Sequence, residues 1–146
     1  MMEGSINIAV FTEDDDTYDQ AMDIFLERVP AYIYMTSDGD YPVAPTGSGF
    51  TEAEVISYWY DQSTFPEDGM IQETCRDLEH SGYGIASISH VAETSLIQGT
   101  DLYSTDVGER LKAALEFHTQ FEIGTAVPSW LCDGTLTLGL LNGKKS

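Results

Sequence analysis

Basic side chains are scarce in this chain. Its 146 residues hold 6 Lys and Arg against 25 Asp and Glu, a net charge of −19. A general nucleic-acid binder needs a basic field to displace counterions, so that class is excluded. The same balance argues against docking on an anionic membrane surface. It leaves an anionic substrate open, because a site acts through local charge. Long apolar runs are also missing, and none approaches the ~20 residues of a membrane span. The opening segment, Met1 to Phe11, has no basic n-region and no small-residue cleavage site, so it is not a signal peptide. It reads as the second half of an apolar helix, as though the chain began inside an element, and the expectation is a partial chain. No Gly-rich loop precedes Lys-Ser/Thr, which removes support for nucleotide binding. No nucleophile elbow or Cys–His context is present. Cysteine is limited to Cys75 and Cys132. Two buried thiols or one bridge are both open; a bridge would be worth about 4 kcal/mol on the chain-entropy model.

What is present suits one domain over residues 1–146, with 42% hydrophobic residues and a modest core. The pattern is all-α. A helix end is expected at 2–11, then a turn. A helix follows near 17–28, capped by Asp16, with Tyr18, Ala21, Met22, Phe25, Leu26 and Val29 as its apolar face and Pro30 as its end or a restart. The Asp14–Asp16 run lacks calcium-loop spacing and reads as a cap, and Ser37-Asp-Gly-Asp reads as a turn. Thr51 and Glu54 form a capping box for a helix at 52–60. A long helix is expected from about 71 to 98, ending at Gly99. Another runs near 104–122 with Leu111, Ala114, Leu115, Phe117 and Phe121 buried. The Gly-rich tail, 125–146, is one strand or a loop. Helices joined by long irregular loops form a bundle or part of an α/α toroid, and composition does not choose between them.

The expected 71–98 helix carries a polar row. Glu73, Arg76, His80, Tyr83, Ser87 and His90 alternate spacings of three and four. At about 100° per residue they share one arc, and Leu78, Ile85, Ile88 and Ala92 share another that can face a core. An acid, a guanidinium, an imidazole and a phenol in one row are groups that hold anions or move protons near neutrality. The structural alternative is that Arg76 pairs with Glu73 and His80 caps a buried network. Glycine inside a helix costs about 1 kcal/mol relative to alanine. Gly84 projects near the row, where a missing side chain leaves room for a ligand; Gly82 points away, where it allows close packing. His80 and His90 lie nearly three turns apart, about 15 Å, which one metal ion cannot bridge. No metal site and no cofactor is expected.

The string from Gln72 to Thr94, followed by Gln98-Gly-Thr-Asp-Leu-Tyr, resembles the alginate lyase-like superfamily of polysaccharide lyases, and looks closest to its secreted fungal branch. Ile8-Ala-Val-Phe, Val29-Pro-Ala-Tyr-Ile-Tyr, Leu115 to Gly124 and Val127-Pro-Ser-Trp-Leu-Cys fit as flanks. The resemblance implies an extracellular, incomplete (α/α) toroid of antiparallel helices, lacking an upstream half and a C-terminal remainder. It implies β-elimination on an anionic polysaccharide, a uronic-acid polymer such as alginate or a glucuronan. Tyr83 is then the acid and a candidate base, Arg76 neutralises the carboxylate or lowers the phenol pKa, and His80 orients Tyr83 or acts as base. Glu73, Gly84, Ser87 and His90 are the implied substrate contacts. Cys75 and Cys132 are expected to lie close in space. A non-catalytic carbohydrate-binding or scaffold fragment of the same fold is the competing expectation.

Overall fold

The computed structural model describes residues 2–138. Five α-helices carry the fold: α1 (Met2–Thr12), α2 (Asp15–Tyr32), α3 (Glu52–Tyr58), α4 (Leu78–Ile97) and α5 (Asp106–Glu122). Short 3-10 turns occur at Thr36–Asp38 and Cys132–Gly134. The chain is all-helical over the described residues. Its tail forms no strand there, and Leu140 and Leu141 lie outside them.

Local chemistry sets most helix ends. Asp14, not Asp16, caps α2: its carboxylate accepts from the Thr17 N–H at 3.0 Å and the Thr17 hydroxyl at 2.7 Å. Thr51 and Glu54 form the reciprocal box at α3. Gly99 adopts φ +100° past the end of α4, where a side chain would be strained. Pro30 neither ends nor restarts α2, which runs on to Tyr32. Proline removes one donor there, and only two helical residues follow it.

Two antiparallel hairpins lie side by side. α1 packs on α2 and α4 on α5, while α1 also contacts α4 and α2 contacts α5. Glu3 bonds His90 and Asn7 bonds Thr94, so α1 and α4 run parallel. One core joins all four helices through Ile6, Phe25, Val29, Ile88, Val91 and Leu111, with neighbours that include Ile85 and Ala92. A second core, built on Tyr34, Trp59, Phe65, Met70, Phe117 and Leu131, holds α3 and the loops to the end of α5. Leu78 is buried as its position in the pattern required, but Leu26 and Leu115 are not, and Leu115 is 49% exposed on the outer face of α5. Ile6, on the apolar opening helix, is fully buried. Ile8 and Phe11 are exposed, at 64% and 89%.

Arg110 links the hairpins. Buried, it donates to both oxygens of Asp38 at 2.7 and 2.6 Å, to Asp106 at 2.7 Å and to the Ile33 carbonyl at 2.7 Å. Asp38 also accepts from the Met35 N–H at 2.9 Å, so the Ser37-Asp-Gly-Asp turn anchors a buried cation as well as reversing the chain. His118 is a core histidine, bonded to the Ala114 carbonyl and to the Thr74 hydroxyl. Burial pushes its pKa down from 6.5 to about 4.

Candidate functional site

The polar row is divided between two elements. Asp77, in extended backbone, caps α4, so the helix begins at Leu78 and not near residue 71. The preceding segment is held elsewhere: Gln72 N donates to Tyr32 O at 2.9 Å, Tyr34 N to Met70 O at 2.8 Å, and Cys75 is disulfide-bonded to Cys132 with Cα atoms 5.2 Å apart. These long-range ties stop the periodic pattern from continuing as helix. Glu73 and Arg76 therefore stand on a turn, while His80, Tyr83, Ser87 and His90 stand on α4.

A cavity of about 400 Å³ opens between the end of α2, the first half of α4 and the start of α1. Glu73, His80, Tyr83, Gly84 and Ser87 line it; Arg76 and His90 do not. Arg76 instead pairs with Glu73 at 3.3 Å, and Tyr60 donates to the same carboxylate oxygen at 3.3 Å. His90 bonds Glu3 at 2.8 Å, and Glu3 also bonds Ser87. That contact ties α4 to α1. Burial works to raise the Glu3 pKa, but the bonds from His90 and Ser87 outweigh it and hold the carboxyl below its ordinary range.

His80 and Asp77 form a dyad. Nδ1 lies 2.8 Å from both carboxylate oxygens, and the His80 backbone N–H donates to Asp77 Oδ1 at 2.7 Å. Partial burial works to raise Asp77, but the bonds from His80 prevail and keep it ionised. An ionised Asp77 requires a proton on Nδ1, so in the neutral ring Nε2 carries the lone pair. The His80 and Tyr83 rings meet edge to face with centroids 6.1 Å apart.

Tyr83 is 59% exposed at the mouth of the cavity. Its hydroxyl donates to Glu79 Oε1 at 2.8 Å, and that bond, with the Glu79 charge, raises the phenol pKa. The expectation that Arg76 lowers this pKa is corrected: Arg76 is occupied by Glu73, and the group acting on Tyr83 is an anion. A phenol so placed stays protonated near neutrality and suits an acid better than a base.

Gly84 leaves no room for a ligand, because the Tyr32 phenol fills the space a Cβ would need. Gly82 has open space around it, so it serves no close packing. Tyr32 and Arg28, from α2, both line the cavity, and the sequence reading passed over both. Burial pushes the Tyr32 phenol up, and the Glu73 carboxylate adds to it. The available signal was their spacing: Arg28 and Tyr32 are i, i+4 beside the buried Phe25 and Val29. Among the described residues no group of three or more His, Cys, Asp or Glu converges on a metal-sized point, and no helix is long and apolar enough to cross a membrane. The chain matches no family model, no curated protein and no solved structure with which it was compared.

Proposed function

We propose that this chain is a polysaccharide lyase domain acting on a uronic-acid polymer, alginate or glucuronan-like, by β-elimination. The observation that carries the reading is the Asp77–His80 dyad beside the protonated Tyr83 at the mouth of a small-ligand cavity. Its volume falls within the ~300–1,000 Å³ of such sites. In the proposed reaction His80 Nε2 takes the proton from C5, next to the substrate carboxylate. The electron pair forms the C4=C5 double bond, the C4–O4 bond breaks, and Tyr83 gives its proton to the departing O4. Asp77 supports the imidazolium that forms. No oxidant, reductant or cofactor is needed for the atoms and charges to balance.

Three further observations support parts of the reading. The side-by-side hairpins, with α1 parallel to α4, are the kind of unit from which an α/α toroid is built. The Cys75–Cys132 bridge suits a secreted protein in an oxidising compartment. The Arg-Asp-x-x-His string with Tyr83 downstream is the part of the sequence resemblance that falls at the cavity.

A second reading, a non-catalytic carbohydrate-binding or scaffold fragment, is favoured by the way half of the polar row is used. Glu3 ties Ser87 and His90 to α1, and Glu73 occupies Arg76. Incubation with alginate and glucuronan separates the two. A lyase releases unsaturated uronates, read by their ultraviolet absorbance, and loses this on His80→Gln. Binding of either polymer without unsaturated product would leave only the second reading.

A further inference from the structure

Among the described residues, Arg28 is the one charged group at the cavity without a partner. Glu3 is bonded to His90 and Ser87, and Glu73 to Arg76 and Tyr60. Arg28 makes no ion pair or hydrogen bond among the described residues, whereas Arg76, Arg110 and Lys112 each pair with an acid. Arg28 is exposed, so its guanidinium is open to a ligand that enters the cavity. Tyr32 stands one turn further along α2 and lines the same cavity, and its hydroxyl also has no hydrogen-bond partner among the described residues. The walls beside them are apolar and aromatic: Phe25, Val29, Pro45 and Tyr58. A planar donor fork, a phenol donor and apolar flanks suit a carboxylate carried on a ring whose C–H face is apolar.

We propose that Arg28 and Tyr32 form the carboxylate-anchoring subsite of this cavity, and that its ligand is a pyranose uronate. Arg28 takes the charge and Tyr32 donates a neutral hydrogen bond. The inference deepens the lyase reading and rests on it for the choice of a sugar acid. It places neutralisation of the C5 carboxylate on α2, opposite His80 and Tyr83 on α4, and not on Arg76. Neutralising that carboxylate acidifies the neighbouring C–H, so the same pair would discriminate uronates from neutral sugars in binding and in reaction.

The test measures binding of D-glucuronate, with D-glucose as neutral control, by calorimetry or chemical-shift titration of the 146-residue chain. The monosaccharide has no glycosidic leaving group at O4, so binding is separated from turnover. Wild type should bind glucuronate in preference to glucose. Arg28→Gln should weaken glucuronate about tenfold or more, since a charge-assisted pair is lost, and leave glucose unchanged. Tyr32→Phe should weaken it several-fold, and Lys112→Gln, a base remote from the cavity, should not. Circular dichroism and melting confirm that each variant is folded. Equal binding of glucuronate and glucose, or Arg28→Gln binding like wild type, overturns the proposal. Glucuronate binding that depends on Arg28 without release of unsaturated product upholds this subsite while the lyase reading fails. Lyase activity undiminished in Arg28→Gln does the reverse.

Discussion

The Tyr32 hydroxyl sits in the space that a Cβ on Gly84 would occupy. One helix thus lacks a side chain so that the aromatic ring of another can lie against its backbone, on the cavity wall. Two glycines two residues apart on α4 should therefore respond oppositely to alanine. Gly82→Ala meets open space and should stabilise by about 0.5–1 kcal/mol through helix propensity. Gly84→Ala should destabilise by about 1–2 kcal/mol because the phenol must move. On a Tyr32→Ala background the Gly84→Ala change should become stabilising. Urea melts of the wild type, the three single variants and the double mutant give the cycle; equal effects at both glycines would sink the packing argument.

Acid should destabilise the fold through His118. Its folded pKa, about 4, lies below the ordinary 6.5 because the ring is buried, which outweighs the opposing effect of the bond to the Ala114 carbonyl. The unfolded chain therefore binds more protons between these values. His118 contributes stability that is fully present above pH 6.5 and is lost as pH falls toward 4, on the order of 3 kcal/mol. His118→Asn should remove that part of the slope in a series of denaturant melts. The carboxylates held low by hydrogen bonds, such as Asp14 and Asp68, act below this window.

Turnover, on the lyase reading, should depend on the dyad separately from helix capping. Asparagine caps as well as aspartate, so Asp77→Asn should keep α4 and its melting temperature but lose the charge that supports the His80 imidazolium. Loss of at least tenfold in kcat is expected there, and about 10²–10⁴-fold for Tyr83→Phe. Wild-type kcat in Tyr83→Phe would remove Tyr83 from the mechanism.

Reduction should weaken the fold sharply. The Cys75–Cys132 bridge spans 57 residues and should contribute about 4 kcal/mol on the chain-entropy model. Cys75→Ser with Cys132→Ser, and the wild type in reductant, should melt at matching lowered temperatures. A melt insensitive to reductant would show that the native contacts around Gln62 and Leu131 hold the segment unaided.

The bare apolar face of α1 should drive association. Ile8 and Phe11 expose large side chains on one short helix. Phe11→Ser should shift sedimentation toward monomer at high concentration without lowering the melting temperature.

Signals confined to one turn of chain were legible in the sequence. The Thr51–Glu54 box, the stop at Gly99 and the buried Leu111, Ala114 and Phe117 of α5 all rest on neighbours within four residues, whereas Leu115 of the same expected stripe is exposed. The start of α4 was not legible, because the 3.6-residue pattern continues through residues 72–77. What overrides it is distant: Ile71 against Ile33, Cys75 against Cys132. Asp77 three residues before His80 was a capping signal, masked by that strong periodicity. Arg28 closed the helix expected at 17–28 and Tyr32 lay beyond Pro30, and only the packing of α2 beside α4 makes their face the wall of a cavity. Arg76 stood out by scarcity of base, yet the local partner Glu73 occupies it.

The fastening of the turn before α4 bears on the order of events at the ribosome. That turn carries Glu73, Arg76 and Asp77, and several of its ties run to residues made much later. Cys75 waits for Cys132, the Leu78 N–H donates to the Thr137 carbonyl at 2.8 Å, and the Thr137 hydroxyl to the Arg76 carbonyl at 3.0 Å. At ~5–20 residues per second, some 60 residues of synthesis take several seconds. Throughout that interval the α1–α2 hairpin can form and Tyr32 and Tyr60 can bond Gln72 and Glu73, while residues 75–78 lack their disulfide and their bonds to Thr137. A nascent chain arrested before residue 132 would display helices but an unfastened site, and thiol-labelling of Cys75 on stalled chains of increasing length would date the moment at which the site closes.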